Sequence, residues 1–299
     1  MRADIRNASL QRAYEKAVKL PYHDGDKLVC ISDLHRGVGN ANDNFSHNQL
    51  LYFQALRYYY DHNYTYIELG DGDELWENSS QKRIVETYGN IFWLLSLFHR
   101  EHRLYMLYGN HDNKKRKADF VRKHLSEYYN ECTHSIEPLF PGLEVWEALR
   151  FLGEGTEIFM VHGHQGELLN DHLHVAAKWM VRLLWSPLER IGVKDPTSVA
   201  KNYARCNCTG RGLSAFAEKK KLLMICGHTH KPVCPAPKEG YYFNDGSGVH
   251  PRCITAIEVS GGRIALVKWA LGVRRDGSLH VTRQILEGPH ALALYTKNR

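Results

Sequence analysis

Five short stretches of this 299-residue chain end in side chains that bind divalent cations, and each follows an apolar, strand-like run. They are SDLH (Asp33, His35), LGDGDE (Asp71, Glu74), YGNHD (Asn110, His111, Asp112), VHGH (His162, His164) and CGHTH (His228, His230). Alternate side chains of an extended segment point the same way, so Asp33 and His35 project together from the end of a strand. Singly, each stretch has a plain structural reading. In a chain with 18 histidines an Asp-Leu-His arises by chance, GNHD reads as a turn whose Asn and Gly tolerate positive φ, and GHTH reads as a satisfied histidine pair in a loop. Taken jointly, chance explains them poorly, because strand ends on one edge of a sheet converge on one crevice.

The residue types fit a particular chemistry. Two divalent cations about 3.5 to 4 Å apart need an anionic bridge, and a carboxylate such as Asp71 spans them while lowering their repulsion. Neutral imidazoles and one amide oxygen fill other positions without adding charge. A mixed nitrogen and oxygen set suits Mn first, with Fe, Zn or Co as alternatives, over Ca, whose sites are built almost wholly from oxygen. Structural zinc sites are closed and rich in Cys, unlike this set.

In order and type these blocks resemble the calcineurin-like metallophosphoesterase family, whose pattern is D-x-H, GD-x-x-D/E, GNH-D/E, a later H, then GH-x-H. The resemblance covers about 27–248, and FNDGS at 243–247 is similar to the N-x-GS turn that closes the site region in many members. It implies one metal held by Asp33, His35, Asp71 and His230 and a second by Asp71, Asn110, His162 and His228. It also implies that His111 contacts the substrate phosphate and helps the leaving oxygen depart. Asp112 is expected to orient His111 through its other nitrogen. Glu74 reads equally as an orienting carboxylate and as a solvated one.

The implied activity is hydrolysis of a phosphodiester, pyrophosphate or phosphomonoester by metal-activated hydroxide, without a protein nucleophile. Within the family the layout is most similar to the UDP-2,3-diacylglucosamine hydrolases, through ISDLH, GDxxE, GHTHKP and a helix-forming insertion over 168–220. In those enzymes the insertion is a lid over acyl chains. Here Leu169, Leu173, Ala176, Met180 and Leu184 form one stripe that Leu168, Val175, Trp179 and Leu183 widen, which serves either as a lid or as packing against the sheets. Those hydrolases tend to carry Arg where this chain has His111 and Asp where it has His164, so the site follows the general family pattern. The expected partner is a phosphorylated small-molecule or lipid-linked substrate, with peripheral membrane contact as an option and no obligate protein partner. A nuclease or cyclic-nucleotide phosphodiesterase is the nearest alternative, although no stacking module or strong basic stripe favours nucleic acid. A metal-binding scaffold that has lost catalysis is the alternative from another class.

The elements that must position these residues follow from the periodicity. A helix is expected through Leu10, Ala13, Tyr14, Ala17 and Val18, stopped by Pro21. KLVCIS, YTYIELG and RLYMLYG read as strands, with helix patterns NQLLYFQALRYYYDH and IVETYGNIFWLLSLFHRE between them, the rhythm of β-α-β units. EIFMVHG and LLMICGHT read as buried strands. YYFNDGSG, CITAIEVS, GRIALVKWA and SLHVTRQI are expected to form antiparallel meanders. With the resemblance, the expected fold is α/β, a four-layer α-β-β-α sandwich of two mixed sheets with a helical insertion, in a single domain over 1–299.

Composition sets bounds. Hydrophobic residues make up 43% of the chain, ordinary for a protein with a substantial core. Seven widely spaced cysteines read as reduced thiols in a cytoplasm, and the CNC pair Cys206 and Cys208 as free thiols rather than zinc ligands. The amino-terminal residues lack the apolar segment of a secretory signal, and no apolar run reaches transmembrane length. The net charge of +6 fits an anionic substrate without requiring one. Lys114, Lys115, Arg116 and Lys117 read first as a solvated helix face, and second as a receptor for phosphates or a membrane surface.

Overall fold

The computed structural model describes residues 2–130, 132–166 and 203–295. Helix α1 (Arg2–Lys16) opens the chain, and β1 (Val18–Pro21) follows it. The expected helix is therefore shorter at its end. β-branched Val18 pairs with Leu149 instead, and Pro21, which has no N–H to give, ends a strand at the edge of its sheet. Next come β2 (Lys27–Ile31), α2 (Gln49–Asp61), β3 (Thr65–Glu68), α3 (Gln81–Thr87), α4 (Gly89–Arg100) and β4 (Leu104–Leu107). β2, β3 and β4 are parallel neighbours, as the β-α-β rhythm requires. The run read as one helix before β4 is two. Tyr88, at φ −114° and ψ 35°, leaves helical geometry between them, where its hydroxyl donates to Asp43 Oδ2 at 2.6 Å inside the protein.

The chain continues through α5 (Ala118–Leu125), a hairpin of β5 (Glu127–Asn130) and β6 (Ser135–Pro138), and β7 (Val145–Trp146). Beyond them lie β8 (Ala148–Gly153), β9 (Thr156–Val161), α6 (Tyr203–Lys220), β10 (Leu223–Cys226), β11 (Tyr242–Asn244), β12 (Cys253–Ser260), β13 (Arg263–Val273) and β14 (Leu279–Ala291). Two mixed sheets result, ordered β14-β13-β12-β2-β3-β4-β7 and β1-β8-β9-β10-β11. The last three strands form the expected antiparallel meander, but β11 does not join it. It runs parallel to β10 in the other sheet, because Phe243 fits the core between the sheets, where it is wholly buried.

Three apolar cores separate four layers. Between the sheets, Cys30, Ile67, Leu107 and Ile257 of one face Met160, Ile225, Leu149 and Phe243 of the other. Outside the seven-stranded sheet, α2 and α4 bury Leu51, Tyr52, Leu56, Phe92, Leu95 and Phe98. Outside the five-stranded sheet, Leu10 and Ala13 of α1 and Leu213, Phe216 and Ala217 of α6 cover Phe159, Val161 and Met224. Truncating one such side chain to Ala costs about 2–5 kcal/mol. The architecture is the α-β-β-α sandwich the sequence implies. Helix α6 is the end of the predicted insertion and packs on a sheet, whereas the stripe over 168–185 lies outside the described residues. No helix among the described residues is long and apolar enough to cross a membrane.

Candidate metal centre

Every stretch singled out by its chemistry begins where a parallel strand ends. Asp33 and His35 follow β2, Asp71 follows β3, and Asn110 and His111 follow β4, all at one edge of the seven-stranded sheet. His162 follows β9, and His228 and His230 follow β10, at the same end of two parallel strands of the facing sheet. The first two turns are sewn together beyond the strands: Asp33 N–H donates to Gly70 O, His35 N–H to Asp71 O and Arg36 N–H to Gly72 O, at 2.9–3.1 Å. Across the sheets, His228 N–H donates to Asp33 Oδ2 at 2.7 Å.

Backbone geometry sets this edge apart. Asp33, His35, Asp71, His228 and His230 all have left-handed φ, between 47° and 67°. This conformation costs an L-residue about 1–2 kcal/mol, and such strain persists where the surroundings over-determine it, characteristically at functional sites. Gly109 is needed for close approach, since a Cβ there would lie 2.1 Å from Asp71 Oδ1.

The side chains converge. His230 Nε2 is 3.0 Å and His35 Nε2 3.8 Å from Asp33 Oδ1, and the two imidazole nitrogens are 3.3 Å apart. Asp71 Oδ2 lies 3.2 Å from His162 Nε2 and 4.0 Å from His35 Nε2, while its Oδ1 accepts from His111 N–H at 2.7 Å. Potential ligand atoms cluster within 4.8 Å in three overlapping groups: Asp33, His35 and His230; His35, Asp71 and His111; Asp71, His162 and His228. Asn110 Oδ1 is buried with no donor to accept from among the described residues. An orphan amide oxygen beside two buried carboxylates and several imidazoles fits divalent cations. Outside the three groups, His164 is buried, its ring 5.5 Å from that of His162.

Charge accounts for the remaining spacing. Burial pushes the Asp33 and Asp71 carboxyls up, yet the histidines around them hold both well below the ordinary range. Burial likewise pushes the His162 imidazole down, and Asp71 more than reverses this, taking it up to about 9. These carboxylates call for positive charge. His162 Nδ1–H donates to Leu69 O at 2.8 Å, which aims Nε2 at Asp71. Asp33 is steadied from behind. The Ser32 hydroxyl stands between Asp33 Oδ2 and, at 2.8 Å, Oδ1 of Asp245 in the FNDGS turn, as donor to these carboxyl oxygens, and burial pushes the Asp245 carboxyl well above its ordinary range. Ser247 Oγ of the same turn donates to Asp33 O at 3.0 Å.

Two readings are corrected. Asp112 does not orient the His111 ring: its carboxylate accepts from Gly109, Asp71 and Gly72 N–H at 2.7, 3.3 and 3.2 Å, and so fixes the turn that presents Asp71. The partner of His111 is Glu74, whose Oε2 accepts from His111 Nδ1 at 2.7 Å and from His35 Nδ1 at 2.9 Å. Glu74 is thus an orienting carboxylate, not a solvated one. Nor does Lys115 belong to a solvated face or a phosphate receptor. It is buried, its Nζ 2.9 Å from Asp112 and 2.7 Å from Asp73, in a closed knot with Arg36, which reaches Asp73 at 2.7 Å and Glu68 at 2.8 Å. The sequence reading missed this knot; its one signal was Asp73, a second acid in an otherwise buried turn. Of the CNC pair, Cys208 is half-buried, and the side chain of Cys206 lies outside the described residues.

Several solved structures are similar in part. Vps29 from Chaetomium thermophilum shares 11% identity over 88% of this chain and 97% of its own, with a TM-score of 0.39. A conserved uncharacterised protein from Streptococcus pneumoniae, a predicted phosphoesterase, shares 13% over 87% and 97%, with a TM-score of 0.32. A putative 5'-nucleotidase from Staphylococcus aureus shares 13% over 87% of this chain and 53% of its own, with a TM-score of 0.35. No curated protein matches. The calcineurin-like phosphoesterase family model matches residues 27–232, from the start of β2 to just past His230, and so takes in every stretch that converges on this centre. With that match over most of its length, the chain belongs to the calcineurin-like phosphoesterase family.

Proposed function

We propose that this protein hydrolyses a phosphoester or phosphoanhydride bond at a centre of two divalent cations, Mn being the first choice. Asp33, His35, Asp71 and His230 would hold one ion, and Asp71, Asn110, His162 and His228 the other. The observation that carries the reading is Asp71 Oδ2, which faces His162 on one side and His35 on the other. Bound ions would supply Lewis acidity toward a phosphoryl oxygen and toward water.

The chain's own groups do the rest. Glu74 accepts the Nδ1 proton of His111 and leaves Nε2 as the atom that meets substrate. Burial pushes the His111 imidazole down, but Glu74 and Asp71 outweigh this and raise it, which favours the protonated form that can serve a leaving oxygen. The Asp112 contacts keep the Asp71 turn from moving as charge changes. The substrate we favour is a phosphorylated small molecule or a lipid-linked phosphate ester.

The test is Mn-supported hydrolysis of a chromogenic phosphodiester, phosphomonoester and pyrophosphate by wild type and Asp71→Ala. Turnover of at least one substrate is expected, falling on the order of a thousandfold or more in the variant. A wild-type protein that binds Mn yet turns over none of them is a scaffold, and the proposal is then wrong.

A further inference from the structure

The geometry points to Trp76 as a positioning residue that locks Asn110 and His111 into their working arrangement, a role resting on the reading just proposed. Trp76 lies five residues beyond Asp71 and touches this step of the chain twice. Its ring stacks on the His111 imidazole, with centroids 4.1 Å apart and planes 18° from parallel. Its Nε1–H donates to the Asn110 carbonyl oxygen at 2.7 Å.

A third contact closes the arrangement. The Trp76 backbone N–H donates to Glu74 Oε1 at 3.0 Å, and Oε2 of the same carboxylate accepts from His111 Nδ1. Glu74, His111 and Trp76 thus form a ring in which each member fixes the next. His35 stands edge-on to His111, with centroids 4.6 Å apart at 87°. The imidazole is held by indole on its face, His35 at its edge and Glu74 at Nδ1. Rotation about its side-chain bonds breaks at least one of these contacts.

Tryptophan suits the position because it alone joins a broad aromatic face to an N–H donor. Asn110 supplies the orphan amide oxygen and His111 the proton, so one side chain sets both relative to Asp71. In the reaction, a new bond forms between phosphorus and the oxygen of water as the bond to the leaving oxygen breaks; the His111 Nε2 proton passes to the leaving oxygen, the attacking water gives up one proton to solvent, and solvent returns a proton to His111. A loosely held His111 delivers this proton poorly.

The test compares wild type, Trp76→Phe, which keeps a ring but loses the N–H, and Trp76→Ala, which loses both. With a phenyl ester, whose leaving oxygen needs the proton, kcat falls about 10–100-fold in Trp76→Ala and less in Trp76→Phe. With the 4-nitrophenyl ester the loss is a few-fold, and KM is unchanged for both. Equal losses with both leaving groups, or none, overturn the role. A readout independent of turnover comes from nitrogen NMR of the histidine rings in metal-free protein. The His111 Nδ1 proton should exchange with solvent about tenfold faster in Trp76→Ala than in wild type. Unchanged exchange overturns the role as well. A wild type inert toward every ester, but with the exchange effect intact, refutes the proposed activity and leaves the positioning standing.

Discussion

Two clusters of buried charge meet at the turn after β3, and they are assembled in opposite ways. In the knot, Arg36 and Lys115 close on Glu68, Asp73 and Asp112, with four contacts at 2.7–2.9 Å. In the candidate centre, Asp33 and Asp71 face imidazole nitrogens at 3.0–4.0 Å. A guanidinium or a buried ammonium keeps its protons, and both cations here are pushed further up by the carboxylates around them, against the effect of burial. An imidazole gives its proton up and offers a lone pair instead. Carboxylates of one kind therefore do different work according to whether their partners can be replaced by an ion.

The largest effect should come from breaking the knot. Lys115→Met leaves Asp73 and Asp112 buried without their ammonium, and urea unfolding should show a loss of about 3–5 kcal/mol with or without metal. Breaking the centre should read out differently. For the wild type, Mn at 100 times its dissociation constant should add about 2.7 kcal/mol per ion to unfolding stability, removable by chelator. Asp71→Asn should abolish that gain while costing the metal-free protein less than Lys115→Met does. If the two variants lose equal stability without metal, the distinction between the clusters fails. The smallest effect tests the rim of the knot, where Gln81 Nε2–H donates to Asp73 Oδ2 at 2.8 Å. Gln81→Leu should cost about 1 kcal/mol in the same assay and leave the Mn response intact.

The sequence disclosed the centre more readily than the knot, for a physical reason. Ligand-type residues at strand ends carry a local signature, because the strand is apolar, the turn is short and the polar side chains come in tight groups. Asp33, His35, Asp71, His162, His228 and His230 could be read together this way, and the structure brings them together. Arg36 and Lys115 carry no such mark, and Asp73 only that of a second acid beside Asp71. Each looks like a surface charge until the fold closes over it, and in NKKRK it is the 3-10 turn Asn113–Arg116 that swings Lys115 over Asp112. The fold shows the same split. Strands β2, β3, β4, β9 and β10 were legible because both faces are buried and the runs are apolar. Strand β1, the β5–β6 hairpin and β7 were not, since they are short, at edges or half polar, and Val18–Pro21 looked like the end of a helix until β8 was there to pair with it.

The candidate ligands hang from both sheets, four from the seven-stranded one and three from its neighbour. What separates the two groups is not a loop but the apolar filling between the sheets. Layers of this kind sit about 10 Å apart, a spacing fixed by the side chains that fill the gap. Cys30, Ile67, Met160, Ile225 and Phe243 are therefore gauge blocks for the site, although none is a ligand. A lineage could retune the centre without altering any residue in it, by thickening or thinning this filling one methylene at a time.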